Sequence, residues 1–133
     1  MIQRIQSIYL LLASAAAFLL LRFPYYYVAA PNYLEINGAG QYSTLIGLAF
    51  SASFSLIAIF LFSNRMLQLR IAIANFLLTC LLGYFIYKII SEHPVGGFTI
   101  FALALIAIPV FQILAAIRII KDERLVKQTD RLR

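Results

Sequence analysis

Residues Arg118-Ile-Ile-Lys-Asp-Glu-Arg-Leu-Val-Lys-Gln-Thr-Asp-Arg-Leu-Arg133 form a long polar segment that follows an almost entirely apolar sequence. The 133-residue chain is 63 % hydrophobic and 12 % charged. Soluble globular proteins have about 45–50 % apolar and about 25 % charged residues. A soluble protein this apolar could not cover its own core, so the composition predicts an integral membrane protein.

Four apolar stretches are long enough to cross a bilayer, which requires about 20 residues of helix. They cover about residues 5–22, 43–62, 71–90 and 98–118. Residues 119–133 are expected to continue the fourth span as a helical tail. The sequence therefore predicts an all-α membrane protein, in which residues 1–133 form a single bundle of four transmembrane helices.

The connections between the spans carry turn signals and aromatic residues. Residues 24–42 contain five tyrosines, and tyrosine gathers at membrane–water interfaces. Pro31-Asn32 and Asn37-Gly38 are turn signals, so this connection allows a short hairpin. Residues 91–97 separate the third and fourth spans, and Pro109 is expected to bend the fourth helix.

The basic residues are unequally divided between the two sides of the predicted membrane. Four spans put the N-terminus, the second connection and the tail on one side, and Arg22 and Lys88 on the other. The first side carries nine basic residues: Arg4, Arg65, Arg70, Arg118, Lys121, Arg124, Lys127, Arg131 and Arg133. The positive-inside rule then predicts that both termini are cytoplasmic. Arg4 before an apolar run also fits a cleaved signal peptide, but the length of the run favours an uncleaved span.

Three amide side chains form a candidate intramembrane polar cluster. Gln6, Asn75 and Gln112 each lie about four to six residues inside the cytoplasmic border, and a rise of about 1.5 Å per residue gives them a similar depth. Asn75, Thr79 and Gly83 also share one helix face. The cluster is expected to clamp the helices in register, and a polar lining for a passage is the alternative.

Gly47, Ser51 and Ser55 recur every four residues and give the second span a face of small side chains. Such faces allow helix backbones to approach closely. Packing within the chain is the favoured explanation, and a homo-oligomer contact through these residues is the alternative.

No pattern of residues indicates catalysis, a cofactor, a metal or nucleic-acid binding. Cys80 is the one cysteine and is expected to be a small buried side chain, and His93 is the one histidine. No ionisable residue lies at the centre of a span, where transporters and proton carriers use them. The sequence therefore favours a protein that is not an enzyme.

The tail is a candidate cytoplasmic interaction surface. The residues concerned are Arg4, Lys121, Asp122, Glu123, Arg124, Lys127, Asp130 and Arg131. Arg118 and Asp122, and likewise Glu123 and Lys127, have the i, i+4 spacing that supports a helix. Three roles are open for this surface: a solvated helix end that fixes the topology, docking of a cytoplasmic partner, and contact with anionic lipid.

The two ends of the chain carry a resemblance to a known family. Met1-Ile-Gln-Arg-Ile-Gln-Ser-Ile-Tyr-Leu10 and the segment from Arg118 to Arg133 resemble the terminal signatures of small four-span bacterial membrane proteins, typical of the Bacteroidota. This family is known as domain of unknown function 4293. The resemblance implies a bacterial inner-membrane protein, and it assigns no catalytic or ligand-binding residue.

Together these features favour a multi-pass protein of the bacterial inner membrane that acts as a non-enzymatic accessory or interaction subunit. Its partners would be membrane lipid and a membrane or cytoplasmic protein. The alternative is a small oligomeric channel or transporter of an unidentified solute or lipid.

Overall fold

The computed structural model describes residues 2–29 and 32–132, with side chains from residue 5 onward. Its four long helices are α1 (Ile2–Arg22), α2 (Tyr42–Phe60), α3 (Arg65–Ser91) and α4 (Leu103–Arg131). A short 3₁₀ helix, Ile100–Ala102, precedes α4. All four long helices are long and apolar enough to cross a membrane, which indicates a multi-pass membrane protein.

The helices form a ring in which each packs against two neighbours. α1 contacts α4 and α2, and α3 contacts α2 and α4. Gln6, near the start of α1, bonds to Arg118 in the middle of α4, whereas Phe23, just after α1, stacks on Phe101, just before α4. These two helices are therefore antiparallel. The core contains one apolar cluster around Leu20, Leu48 and Ile108, and a second cluster around Leu10, Ala58 and Ala115.

The described residues also contain a three-stranded antiparallel sheet, so the predicted all-α architecture is incomplete. The strands are β1 (Tyr26–Val28), β2 (Leu34–Ile36) and β3 (Gly96–Phe98), in the order β2-β1-β3. β1 and β2 form the hairpin that the turn signals allowed. β3 comes from the connection between α3 and α4, and Tyr27 faces Gly97 in its register with β1.

The sheet covers one end of the helix bundle. Tyr25, Tyr26, Val28 and Ile36 are buried and belong to the same apolar cluster as Leu20 and Leu48. Burying this apolar surface stabilises the sheet by about 25 cal/mol for each Å² removed from solvent. We call this end of the bundle the sheet end. The opposite end, where α4 extends beyond the bundle, is the tail end.

Two glycines allow β3 to lie close to β1. A Cβ atom at Gly96 would collide with the carbonyl oxygen of Tyr27, and one at Gly97 would lie 2.6 Å from the Tyr27 hydroxyl oxygen. Gly96 meets an atom of the β1 backbone, so this close approach requires glycine there. At Gly97 the neighbour is the end of the Tyr27 side chain, which can shift. The sequence marks the Gly96-Gly97 pair as a break between two spans, and in the structure the pair belongs to strand β3.

The third and fourth helices differ in detail from the predicted spans. α3 begins at Arg65 rather than near residue 71, and the Asn64 side chain caps it by accepting a hydrogen bond from Leu67 N at 3.3 Å. α4 continues through most of the tail to Arg131. Cys80 is exposed on α3, so the expectation that it is buried is wrong. Hydropathy identifies a span but does not say which side of the helix faces lipid.

Candidate functional site: a buried polar cluster and an exposed tail

Three side chains from three helices form a closed ring of hydrogen bonds in the bundle interior. Gln112 Nε2 on α4 donates to Ser51 Oγ on α2 at 3.3 Å. Ser51 Oγ lies 3.4 Å from Thr79 Oγ1 on α3, and Thr79 Oγ1 donates to Gln112 Oε1 at 3.0 Å. A hydroxyl has a single proton to donate. Thr79 Oγ1 also lies 2.9 Å from the backbone oxygen of Asn75, which competes for its proton. With the Ser51 proton directed to Thr79 and the Thr79 proton directed to Gln112, all three bonds of the ring form at once.

Asn75 adds a second set of bonds between α2 and α3. Its Nδ2 donates to the backbone oxygen of Ser51 at 3.1 Å and to Ser55 Oγ at 2.9 Å. The two donors of the amide are thus both used. Asn75 Oδ1 is buried without a hydrogen-bond partner among the described residues.

This polar cluster, made of Ser51, Ser55, Asn75, Thr79 and Gln112, lies between the two apolar clusters of the core. Its members are at most 9 % exposed. Hydrogen bonds between helices in a membrane contribute about 0.6–1.7 kcal/mol each. The cavity next to Ser51 and Thr79 has a volume of about 30 Å³, which is room for a water molecule or two rather than for a passage.

Gln6 does not join this cluster, although the sequence predicts that it shares a depth with Asn75 and Gln112. It is buried, and its Nε2 donates to the backbone oxygen of Arg118 at 3.3 Å. Arg118 lies six residues beyond Gln112, which is about 9 Å along a helix. Phe111, next to Gln112, stacks on Tyr9 of α1 rather than on a residue beside Gln6. The packing of α1 against α4 is thus offset from the depths that the edges of the apolar runs give.

The small-residue face of α2 is turned toward α3 in the same chain. Ser51 and Ser55 are each 1 % exposed, and a Cβ atom at Gly47 would press against the Leu82 side chain. The stripe therefore serves packing within the chain. A homo-oligomer contact through Gly47, Ser51 and Ser55 stays a prediction.

The base of the tail is tied to the bundle at two points. Arg65, at the start of α3, donates from Nη1 to the backbone oxygen of Asp122 at 3.2 Å. Arg65 Nη2 lies 3.9 Å from Asp122 Oδ2, so Asp122 faces Arg65 on another helix rather than forming the expected pair with Arg118. Gln6 provides the second tie through the Arg118 carbonyl.

Beyond Asp122, the tail leaves the bundle. Residues 124–132 are all exposed, and Lys127 Nζ lies 2.8 Å from Glu123 Oε1 in the i, i+4 pair that the spacing predicts. This exposed part holds the predicted surface residues Arg124, Lys127, Asp130 and Arg131; Lys121 is also exposed. The Arg4 side chain and Arg133 lie outside the described residues.

The comparison with known families gives one result. The model of the family described as a domain of unknown function (DUF4293) matches residues 2–132. The chain belongs to this family. No curated protein and no solved structure matches it.

For this member of the family, sequence reasoning missed several residues that the fold uses. Gln68 is buried, and its Nε2 donates to the Ala58 backbone oxygen at 2.9 Å, although it falls in a predicted turn. Arg65 was counted only for its charge. Ser51 and Ser55 were considered as small residues, yet their hydroxyls also bond. Serine at helical spacing opposite an asparagine in another span is the signal that could have indicated these bonds.

Among residues 5–29 and 32–132, no group of three or more His, Cys, Asp or Glu side chains could hold a metal ion. At the sheet end, the hydroxyl of Tyr25 has a shifted pKa. Burial raises the pKa of its hydroxyl from 10.0 to about 12. This hydroxyl has no hydrogen-bond partner among the described residues, and its pKa shift reflects packing.

Proposed function

We propose that this chain is a non-enzymatic accessory protein of the bacterial inner membrane, which binds a protein partner through its tail. Both termini are cytoplasmic in this proposal, as the unequal division of basic residues predicts. The observation that carries it is the exposed helical extension of residues 124–131, held at its base by Arg65 and Gln6.

The extension has the chemistry of a binding surface for a helix. The helix from residue 124 to Arg131 has eight residues and is about 12 Å long. Leu125, Val126 and, just after the helix, Leu132 are exposed at 49 %, 42 % and 89 %. Leu125 and Leu132 are seven residues apart and lie on one edge. Basic and acidic side chains stand beside this edge, which suits a partner helix with an apolar stripe and mixed charges.

The interior of the bundle supports this proposal over transport by a single chain. The sheet covers one end, and the buried amides are largely occupied by hydrogen bonds between helices. A passage for a solute would have to break the ring of Ser51, Thr79 and Gln112. An oligomeric channel or transporter is the less favoured alternative, because its path would have to run between chains.

Site-specific photocrosslinking in native membranes tests the proposal. A photoreactive residue in place of Leu125 or Leu132 should give the same single crosslinked protein. Leu77, which is 64 % exposed on the apolar part of α3, is the matched control and should give none. Reversing the charges of Arg124 and Arg131 should remove the crosslink from Leu125.

Crosslinks from Leu125 and Leu132 to lipid alone would contradict the proposal. A crosslinked product with the mass of two copies of this chain would contradict it as well, and would favour the oligomeric alternative.

A further inference from the structure

An apolar groove runs between α2 and α3 in the half of the bundle near the sheet end. Its volume is about 230 Å³. Gly47 and Leu82 lie against each other in its lining, and Phe50 and Phe85 stand on opposite walls. The other lining residues include Ile46, Leu78 and Leu81. The groove opens toward the lipid, since Ile46, Phe50 and Leu81 are each 53 % exposed.

A second hollow lies beside this groove on α2. It has a volume of about 250 Å³, and it shares Ile46 and Phe50 as one wall. The two hollows are therefore separated by a ridge made of these two side chains. Two adjacent apolar hollows on either side of a ridge match the two acyl chains of a phospholipid.

A basic side chain stands above the groove. Leu81, Phe85 and Lys88 are spaced i, i+4 and i+7, so they lie on one face of α3. Lys88 is therefore about one turn closer to the sheet end than Phe85. It is exposed, and no acidic side chain of the described residues lies within ion-pair distance of it. Its long apolar stem can follow the groove wall while the ammonium stays at the interface.

The first turn of α2 borders the same end of the groove. Ser43 lines the groove, and the first N–H groups of a helix have no acceptor within the helix. The Gln41 side chain does not cap them. The Thr44 hydroxyl lies 2.9 Å from the carbonyl oxygen of Gly38 and 3.0 Å from that of Gln41. Its one proton is used by these carbonyls, and the hydroxyl does not cap the N–H groups. These N–H groups add to the positive potential near Lys88.

We propose that this groove binds one anionic phospholipid. Its acyl chains lie on the two sides of the Ile46–Phe50 ridge, and its phosphate is held at the mouth between Lys88 and the first turn of α2. A free phosphate ion would not fill the apolar groove. A partner helix would fill it without using the cation, so the combination of groove and charge favours lipid.

The absence of tryptophan from the sequence allows a direct test. Phe85→Trp places a single fluorescent reporter in the groove of the full chain, and Ile113→Trp places one on the lipid-facing side of α4. Ile113 is 43 % exposed. Each variant is reconstituted in vesicles of phosphatidylcholine. A rising fraction of this lipid is replaced by a lipid with brominated acyl chains, which is phosphatidylglycerol in one series and phosphatidylcholine in the other. Bromine quenches tryptophan on contact.

The Phe85→Trp reporter should reach half-quenching at about a fivefold lower fraction of brominated phosphatidylglycerol than of brominated phosphatidylcholine. The control reporter should respond equally to both lipids. Adding Lys88→Gln should lower the preference at Phe85→Trp to less than about twofold.

Three outcomes would overturn the proposal: equal quenching by both lipids at Phe85→Trp, a preference that Lys88→Gln leaves unchanged, or relief of quenching by excess inorganic phosphate. The last would indicate a site for a free anion. Lys88 is exposed and Phe85 is replaced by another aromatic residue, so both variants should fold, and circular dichroism checks their helix content.

Discussion

The hydroxyl of Thr79 lies 3.0 Å from the side-chain oxygen of Gln112, and this contact joins α3 to α4 in the middle of the bundle. Thr79→Val keeps the shape of the side chain but leaves Gln112 Oε1 without a donor. We expect it to lower the free energy of unfolding by about 1–2 kcal/mol. Denaturation in mild detergent measures the change.

Thr129→Val is the matched control, because the Thr129 hydroxyl is exposed on the tail and bonds within its own helix, to the Leu125 backbone oxygen. It should change the free energy of unfolding by less than about 0.5 kcal/mol. Equal effects of the two substitutions would show that the ring does not hold the helices together.

Asn75 and Gln112 both depend on Ser51, one through its backbone oxygen and the other through its hydroxyl. Asn75→Leu and Gln112→Leu should therefore each destabilise the bundle. The double variant should lose less unfolding free energy than the two single variants lose together, and the difference should be about 0.5 kcal/mol or more. A double-mutant cycle of unfolding free energies measures this, and strictly additive effects would refute the coupling.

Gly96 is a test of the sheet, because a Cβ atom there would meet the Tyr27 carbonyl oxygen. Gly96→Ala should separate β3 from β1 and cost about 1–3 kcal/mol. Gly83→Ala is the control, since a Cβ atom at Gly83 has no atom within 4 Å and alanine favours a helix. In thermal unfolding, Gly83→Ala should be at least as stable as wild type. A smaller loss of stability in Gly96→Ala than in Gly83→Ala would contradict the β3 register.

Tyr25 should make stability fall at high pH. Its pKa is about 12 in the folded chain against an ordinary 10.0, so the unfolded chain loses this proton first. The stability due to the neutral hydroxyl is complete below pH 10 and decreases as the pH rises toward 12. In Tyr25→Phe this part of the decrease should be absent, and the variant should be as stable as wild type at neutral pH, because the hydroxyl has no partner.

Unfolding curves at pH 8, 10 and 11 check this, with Tyr42→Phe as the control because Tyr42 is 85 % exposed. An equal loss of stability above pH 10 in wild type and in Tyr25→Phe would contradict the assignment.

The proposed orientation has a simple chemical test. In a Cys80→Ala background, Asp130→Cys on the tail should resist a membrane-impermeant maleimide in intact cells and react after lysis. Ala39→Cys, in the exposed turn at the sheet end, should react in intact cells once the reagent has crossed the outer membrane. The reverse pattern would overturn the orientation that the basic residues predict.

The four helices could be predicted from the sequence because a spanning helix is a local property of about 20 apolar residues. The sheet could be predicted only in part. The turn signals Pro31-Asn32 and Asn37-Gly38 allowed a hairpin, but β3 has three residues, two of them glycine, and carries no alternating pattern. It pairs with a strand about 70 residues away, and such pairing is not encoded in either strand alone.

The polar contacts show a similar limit. The sequence identifies Asn75 and Gln112 as members of a polar cluster, because amides in apolar helices need hydrogen-bond partners. Which residues become those partners depends on how each helix is rotated about its axis, and in the structure they are Ser51, Ser55 and Thr79. Gln6 was grouped with them by depth, and it instead bonds to Arg118. The Arg65–Asp122 contact depends on where α3 begins, and hydropathy does not locate a helix start beyond the apolar run.

The sheet also sets an order for assembly in the membrane. β1 and β2 belong to the connection between α1 and α2, but the other edge of β1 pairs with β3, which leaves the ribosome only after α3. Until then Tyr26, Tyr27 and Val28 have an unpaired edge, which other extended chains can pair with. The early half of this protein is therefore open to mispairing during its synthesis, until the Gly96-Gly97 segment joins β1 and completes the sheet.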